Sequence, residues 1–346
     1  MTTSLVDKIE SEEALEDILA TPSAALVEDM KGLDGDILLL GAGGKMGPSL
    51  ARLARRAAEL AGGERRIIAA SRFSSAEAER DLQASGVTTI KVDLLDDAQL
   101  RALPDVPNIL YLVGMKFGTT GQEHLTWAMN AYPPGRVAER FCESRIVAFS
   151  TGNVYPLTPV LHGGPTEAHP TGPVGEYAQS CLGRERIFEH FSLRYGTPLL
   201  HYRLNYAIDL RYGVLLEVAR AVKEGKPINL RMGHVNVIWQ GDANEIALRA
   251  LRLCASPAKV LNVTGPETVS VRWLAERFAE LLGREPVMEH EEGATALLSN
   301  ASQAHLLFGY PKVPLRKMIA WTAHWVSTGG GALGKPTHFQ EREGKF

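Results

Sequence analysis

Short apolar runs alternate with amphipathic segments along most of this 346-residue chain. Residues 37–40 are four consecutive apolar residues, a pattern typical of a strand that is covered on both faces within a parallel sheet. Beyond the glycine-rich turn that follows, apolar residues recur at spacings of three and four, which predicts a helix with one buried face. These residues are Leu50, Leu53, Ala54, Ala57 and Leu60. The first predicted unit is therefore a strand, a tight turn and a helix.

The same alternation continues downstream. Further strands are predicted at residues 66–70, 88–92, 108–113, 145–149, 198–202 and 259–265. Strands and helices in alternation predict an α/β fold built on a doubly wound parallel sheet of the Rossmann type, with a smaller C-terminal substrate domain. The predicted parts are a helical N-terminal extension (1–34), an NAD(P)-binding Rossmann domain (35–205), a substrate domain interleaved with the last Rossmann elements (206–328) and a mobile tail (329–346).

The turn after the first strand carries glycines with the spacing G-x-x-G-x-x-G, at Gly41, Gly44 and Gly47. In a strand–turn–helix unit, such glycines let backbone N–H groups at the helix N-terminus approach a pyrophosphate closely, where a Cβ would intrude. The turn is thus predicted to bind a dinucleotide cofactor through these glycines, Lys45 and Met46. The alternative is a glycine turn that only packs a helix against a sheet.

The end of the second strand bears on which dinucleotide binds. Enzymes that prefer NAD usually place an Asp or Glu there, where it bonds the ribose hydroxyls. This chain has Ser71 and Arg72 instead, so no carboxylate repels a 2′-phosphate and a guanidinium is available to pair with one. We therefore predict NADP as the cofactor, with NAD as the alternative.

Composition narrows the classes of function. The net charge of −3 gives no basic field for nucleic acid, and no apolar run approaches the ~18–20 residues of a membrane span. The first residues lack the pattern of a signal peptide, and Cys142, Cys181 and Cys254 form neither a disulfide framework nor a zinc-binding pattern. These features predict a cytoplasmic protein in a reducing compartment, with a small-molecule partner and no metal site.

Two later segments carry more specific motifs. Residues 150–155, Ser-Thr-Gly-Asn-Val-Tyr, are similar to a Ser-Ser-x-x-Val-Tyr segment. Tyr177 begins a stretch similar to a Tyr-x-x-x-Lys motif, with Glu185 four residues beyond the lysine position. Together with the glycine spacing, these motifs resemble the extended short-chain dehydrogenase/reductase family, of the NAD-dependent epimerase/dehydratase type. The resemblance covers roughly residues 36–327.

The resemblance implies roles for individual residues. Thr151 would be the catalytic hydroxyl that bonds the reacting oxygen of the substrate, and Tyr177 would be the general base or acid. A simpler alternative is that Ser150 and Thr151 only satisfy backbone groups at a strand end. The resemblance also implies contacts with the cofactor from Asp93, Leu94, Val113, Gly114, Lys116, Asn130, Tyr177 and Leu204.

Members of that family often form homodimers through the helix that contains the residue matching Asn130, so the resemblance allows a homodimer here. In this chain Pro133 and Pro134 follow closely. Because proline lacks the N–H donor and clashes with the preceding turn, we expect a break or kink in the helix, which would disturb such an interface.

The lysine of the Tyr-x-x-x-Lys motif is missing, and Cys181 stands in its place. A free phenol has a pKa of about 10, and an ammonium one helical turn away would lower it. A neutral thiol supplies no such charge. Four outcomes remain open: another cation serves, catalysis follows another route, catalysis is lost, or Cys181 is a nucleophile. As the replacement cation, and hence a catalytic residue, we expect Lys116 rather than Arg184, because Arg184 lies about 10 Å along the helix axis from Tyr177.

These observations predict an NAD(P)-dependent enzyme with an atypical active site. It would act at a carbinol carbon of a small carbohydrate-like substrate, as an oxidoreductase, an epimerase or a dehydratase. Thr151, Tyr177 and Asn205, in places that match the family, favour an enzyme. The missing lysine favours the alternative, a non-catalytic nucleotide-binding sensor or structural protein on the same fold.

Overall fold

Strands and helices alternate along the chain, as the apolar pattern predicts. The computed structural model describes residues 5–116 and 121–345. Its strands are β1 (Ile37–Leu40), β2 (Ile67–Ser71), β3 (Thr88–Lys91), β4 (Asn108–Tyr111), β5 (Arg145–Thr151), β6 (Thr158–Pro159), β7 (Leu199–Leu204), β8 (Ala207–Ile208), β9 (Pro227–Asn229), β10 (His234–Val235), β11 (Ile238–Trp239), β12 (Lys259–Val263), β13 (Val269–Ser270), β14 (Val287–Glu289) and β15 (Thr295–Ala296). Its helices are α1 (Glu12–Leu19), α2 (Ala24–Lys31), α3 (Gly47–Ala61), α4 (Ala76–Ala84), α5 (Asp97–Arg101), α6 (Glu123–Arg140), α7 (Gly175–Tyr195), α8 (Val214–Glu224), α9 (Gln240–Arg249), α10 (Val271–Leu282), α11 (Ser302–Phe308) and α12 (Leu315–Ser327).

Seven strands form the central sheet, in the order β12–β7–β5–β4–β1–β2–β3. Each neighbouring pair is parallel, so the predicted doubly wound parallel sheet is confirmed. The strand order reverses between β1 and β4. In open α/β sheets, the crevice outside the carboxyl ends of the strands at such a reversal is where ligands bind.

Side chains of the central strands alternate between two buried layers, because successive residues of a strand point to opposite faces. Ile37 and Leu39 of β1 pack in the layer that contains α3 and α9, whereas Leu38 and Leu40 pack in the layer that contains α6 and α7. A third apolar core joins α1, α8, α10 and α12 around Trp321 in the smaller C-terminal part. Among the described helices, none is long and apolar enough to cross a bilayer.

Helix α6 is continuous across Pro133 and Pro134, so the predicted break does not occur. Pro134 cannot donate to the carbonyl of Asn130, four residues earlier. The guanidinium of Arg184, on the neighbouring α7, donates to that carbonyl from Nε at 3.3 Å and so satisfies the freed acceptor. Both prolines are buried. A side chain from another helix thus replaces part of what the prolines remove.

The tail from residue 329, for which the sequence predicts mobility, packs against the rest of the chain in the structure. Phe339 is 1% exposed and belongs to the C-terminal core. Thr337 donates to the carboxylate of Glu217 on α8 through its N–H (2.5 Å) and its Oγ1 (2.7 Å). Arg342 donates to the hydroxyl of Thr295 at 2.6 Å. One buried aromatic side chain, worth about 1.5–3 kcal/mol, anchors a segment that is otherwise polar and rich in glycine.

Candidate functional site

Two cavities lie at the carboxyl ends of the sheet strands. The outer cavity, of about 280 Å³, is lined by the glycine turn and by residues that follow β2, β3 and β4. The inner cavity, of about 170 Å³, is lined by residues at the ends of β5 and β7, by α7 and by the segment 205–213. Both occupy the edge where the strand order reverses, so the candidate site lies where this fold binds its ligands.

The glycine turn forms one wall of the outer cavity. Gly41 has a φ of +87°, and a Cβ there would come within 2.9 Å of Val113 Cγ2. A Cβ on Gly47 would collide with the carbonyl of Ala42. Met46, the N-cap residue of α3, makes no side-chain cap, which leaves the first backbone N–H groups of the helix to a bound anion. The residues present therefore fit a pyrophosphate.

Most of the residues predicted to contact a cofactor line one of the two cavities. Those in the outer cavity are Gly41, Gly44, Ser71, Arg72, Asp93, Leu94, Val113 and Gly114. Those in the inner cavity are Lys45, Met46, Lys116, Tyr177 and Leu204. Gly47 and Asn130 lie behind these linings. Asn130 is buried and exchanges hydrogen bonds with the backbone of Met115, so it holds the loop after β4.

Buried polar contacts fix α7 against the sheet. Glu185 of α7 pairs with Arg203 of β7 at 2.7 Å and accepts from the hydroxyl of Ser150, on β5, at 2.5 Å. The ionic groups of this pair are almost fully buried, and the additional hydrogen bonds satisfy them. Tyr177 lies two turns earlier on the same helix, so this anchor sets its position over the end of β5.

The phenol of Tyr177 and the hydroxyl of Thr151 share a hydrogen bond at the inner cavity. Thr151 Oγ1 also accepts from the backbone N–H of Asn153 (3.2 Å) and from its side-chain amide (3.0 Å). Thr151 therefore both satisfies a backbone N–H group at the end of β5 and contacts the phenol of Tyr177. The structure thus places in contact the two residues that the resemblance singles out as catalytic.

The groups around Tyr177 keep it neutral. Burial raises the pKa of the phenol well above its ordinary value, and Cys181 acts in the same direction, whereas the guanidinium of Arg184 and the hydrogen bond with Thr151 lower it. Burial also raises the pKa of the Cys181 thiol, which is 1% exposed. A buried thiol that stays protonated is a poor nucleophile, so the structure disfavours a nucleophilic role for Cys181.

Arg184 folds back from α7 toward the ends of β4 and β5. Its Nη1 donates to the carbonyl of Phe149 at 2.8 Å, and its Nη2 donates to the side-chain oxygen of Asn130 at 3.0 Å. A Cβ on Gly114 would lie 2.6 Å from Nη2, so the glycine makes room for the guanidinium. Burial disfavours the charge, but neighbouring groups, Cys181 first among them, raise the pKa of Arg184 above its ordinary value. The guanidinium therefore remains a cation close to the site.

Two amines line the inner cavity. Lys116 Nζ donates to the carbonyl of Thr337 in the tail at 3.1 Å, and burial lowers its pKa to about 8. Lys45 Nζ donates to the carbonyl of Ala207 at 2.7 Å and lies 3.7 Å from the centre of the Tyr212 ring. Burial lowers the pKa of Lys45 to about 7. At a pH below these values most of each amine is charged, and at a pH above them less than half of it is.

Several residues of the inner cavity are not among the predicted site residues, and those with polar side chains include Asn153, Tyr206, Tyr212 and Thr337. Asn153 lies within the segment 150–155 and could have been found from it. Tyr206 and Tyr212 belong to a segment assigned to the substrate domain without any residue pattern that singles them out. Thr337 comes from the tail, where no local pattern indicates a role at the site.

Comparisons with known proteins point to one fold. No protein-family model and no curated protein match the chain. A UDP-glucose 4-epimerase from Thermus thermophilus in complex with NAD matches with a TM-score of 0.69 and 18% identity, over 84% of this chain and 98% of that chain. A dTDP-glucose 4,6-dehydratase from Bacillus anthracis in complex with NAD matches with a TM-score of 0.70 and 18% identity, over 86% and 97%. A UDP-glucuronic acid 4-epimerase from Bacillus cereus in complex with NAD gives 0.69 and 17%, over 85% and 99%. The fold implied by the resemblance is thereby confirmed.

Proposed function

We propose that this protein is an NAD(P)-dependent enzyme that acts at a carbinol carbon of a small carbohydrate-like substrate, as an oxidoreductase, an epimerase or a dehydratase. The observation that carries the proposal is the hydrogen-bonded pair of Thr151 and Tyr177 at the inner cavity, beside the glycine turn. This pair presents two hydroxyl groups at one place, so both can bond the oxygen of a single carbinol or carbonyl group.

The raised pKa of Tyr177 gives the proposed chemistry a preferred direction. At neutral pH the phenol keeps its proton, because burial and Cys181 disfavour the phenolate. A neutral phenol can donate a proton to an oxygen that gains negative charge, but it accepts one poorly. We therefore expect reduction of a carbonyl to be easier for this site than oxidation of an alcohol.

The outer cavity would hold the adenosine part of the cofactor and the glycine turn its pyrophosphate. When bound, the dinucleotide supplies or accepts a hydride. We propose NADP, because Arg72 is an exposed residue of the cavity lining, next to Ser71 at the end of β2. NAD is the alternative, and the similar epimerase and dehydratase structures are complexes with NAD.

The choice of cofactor can be tested at Arg72. Arg72→Ala should weaken NADPH binding about tenfold or more, because it removes a charge-assisted contact with the 2′-phosphate. NADH, which lacks that phosphate, should bind within about twofold of the parent protein. Fluorescence titration of the reduced cofactors measures both values. The matched control is Arg80→Ala, which removes an exposed arginine of α4 outside the cavity lining. A parent protein that prefers NADH would contradict the proposal of NADP.

The structure leaves little room for a nucleotide attached to the substrate. The inner cavity has about 170 Å³, below the roughly 300–1,000 Å³ typical of sites for larger ligands. Val235 is fully buried in β10 and has no charged group to offer a diphosphate. Thr337 of the packed tail is part of the lining of the cavity. These features support a substrate without a nucleotide.

We therefore expect UDP- and GDP-sugars to bind with a Kd no tighter than about 1 mM. Isothermal titration calorimetry of the protein saturated with NADP would measure this directly. The reason is spatial, since the inner cavity is small and Thr337 of the packed tail is part of its lining. A micromolar Kd for any of these nucleotide sugars would contradict the prediction.

A second candidate function is a nucleotide-binding protein without redox chemistry. The observation in its favour is Cys181, which takes the place of the lysine and raises the pKa of Tyr177. The two functions are separated by mixing the protein with reduced and oxidised cofactor and a panel of small polyols, sugars and sugar acids with their carbonyl counterparts. Nicotinamide absorbance reports net hydride transfer, and product analysis detects an epimerase or dehydratase that recycles its cofactor. Cofactor binding without any product from the panel would favour the second candidate.

A further inference from the structure

The side chain of Lys45 leaves the glycine turn toward the substrate side of the site. It lines the inner cavity and is not part of the outer cavity lining. Its Nζ contacts the carbonyl of Ala207 and the ring of Tyr212, both on the segment that follows β7. The backbone of the turn thus faces the pyrophosphate position, while this amine faces the position of the substrate.

Positive charge around Lys45 is only partly balanced. Among the described residues, no carboxylate lies within ion-pair distance of its Nζ. Asp209 is the carboxylate whose charge acts on Lys45, but it already accepts from the backbone N–H of Arg211 (2.7 Å) and pairs with the guanidinium at 3.3 Å. Lys116, Arg211 and Lys335 all act on Lys45 with charge of the same sign. The inner cavity is therefore electropositive at this point.

A carboxylate whose charge acts on Lys116 is also hydrogen-bonded to another residue. Glu217, whose charge acts on Lys116, accepts two hydrogen bonds from Thr337. The backbone N–H and the hydroxyl of Thr337, in the tail, thus bind the carboxylate of Glu217. Lys45 thus faces a small cavity beside a second amine, while the carboxylate of Asp209 is bound to Arg211, and an oxyanion would complete this arrangement.

Resting on the proposed function, we infer that the hydroxylated substrate carries a carboxylate or a phosphate, and that Lys45 binds this group in the inner cavity. The ammonium has three donors, and only one of them is used by the carbonyl of Ala207. A bound oxyanion would accept a charge-assisted hydrogen bond and would stabilise the protonated amine that burial disfavours. Thr151 and Tyr177 line the same cavity, so the anion and the reacting carbinol belong to one small molecule.

The test compares neutral and anionic probes of matched skeleton. Calorimetric titrations of the protein saturated with NADP would use D-gluconate against D-glucitol, and glycerol 3-phosphate against glycerol. In at least one pair, we expect the anion to bind about tenfold tighter or more than the neutral partner. The first pair reports a carboxylate and the second a phosphate, so the result also identifies which oxyanion the site takes.

Variants then assign the preference to Lys45. Lys45→Met should bring the anion and its neutral partner to the same affinity, whereas Lys45→Arg, which keeps the charge, should retain most of the preference. The control Lys91→Met removes an exposed lysine on β3, paired with Glu79, and should change nothing. Anion affinity should also fall as the pH rises above about 7, because the free amine loses its proton there.

Three results would overturn the inference: equal binding of anions and neutral probes, a preference that survives Lys45→Met, or no measurable binding of any anion. Fluorescence titration with NADPH is made on the same samples. If NADPH binds and a neutral polyol or sugar is turned over, the inference on Lys45 fails and the proposed function stands. If NADPH does not bind, the proposed function itself has failed.

Discussion

Tyr177→Phe should reduce turnover by about 10²–10⁴-fold and leave cofactor binding unchanged. The substitution removes only the phenolic oxygen, which shares a hydrogen bond with Thr151 and faces the inner cavity. The ring, which packs beside Val154 and Cys181, is retained. The loss should therefore appear in kcat for any substrate found with the panel, and fluorescence titration should give the same Kd for NADPH as in the parent protein.

The control for this variant removes another phenol of the same cavity. Tyr206→Phe deletes a hydroxyl that also lines the inner cavity but stands on the segment after β7. Its effect on kcat should stay within about tenfold, because no proton transfer is assigned to it. Thr151→Ser keeps the hydroxyl and should remain active. Full activity of Tyr177→Phe would show that the proton moves through another group, and the assignment of the general acid would be wrong.

The parallel sheet and the glycine turn could be predicted because their signals are local. One short stretch contains the four apolar residues of β1, the glycine turn and the helix with its periodic apolar residues. The strand residues and one face of the helix are buried in the structure, as their patterns predict. The pairing of Thr151 with Tyr177 required the family resemblance, since strand β5 and helix α7 bring these residues together across the fold. No periodicity in the chain contains that information.

Side-chain direction and long-range packing could not be predicted in the same way. Helical spacing places Arg184 two turns from Tyr177, and only the fold shows that its side chain turns back to Asn130 and Phe149. The same guanidinium donates to the carbonyl of Asn130 that Pro134 leaves without a partner in α6. The glycines and charges of the tail predict mobility, whereas in the structure Phe339 is buried in the core and Thr337 is hydrogen-bonded to Glu217. These misses share one cause, which is that a partner distant in sequence decides the outcome.

Neutralising Arg184 should raise the pKa of the Tyr177 phenol further and slow oxidation of an alcohol, the direction that needs the phenolate. In the structure, this guanidinium lowers that pKa against the effects of burial and Cys181. Its removal in Arg184→Gln leaves the phenolate without that support, so the limb of the pH–rate profile that reports the phenol should move to higher pH. Where the rate depends on phenolate, it falls about tenfold for each pKa unit. The free energy of unfolding should also fall by about 2–5 kcal/mol, because the carbonyls of Asn130 and Phe149 lose their donors.

Three companion variants separate the charge of Arg184 from its structural role. Arg184→Lys keeps the charge but loses part of the hydrogen bonding, so stability should fall while the limb of the pH–rate profile moves less than in Arg184→Gln. Arg186→Gln, on the exposed face of the same helix, should leave both the stability and the limb of the pH–rate profile unchanged.

Lys116→Gln tests the cation that the sequence alone favours. Because Lys116 is held toward Thr337, its loss should weaken substrate binding and leave the phenol limb in place. A limb that moves with Lys116→Gln and stays with Arg184→Gln would reverse this assignment, and Lys116 would be the residue that replaces the missing lysine.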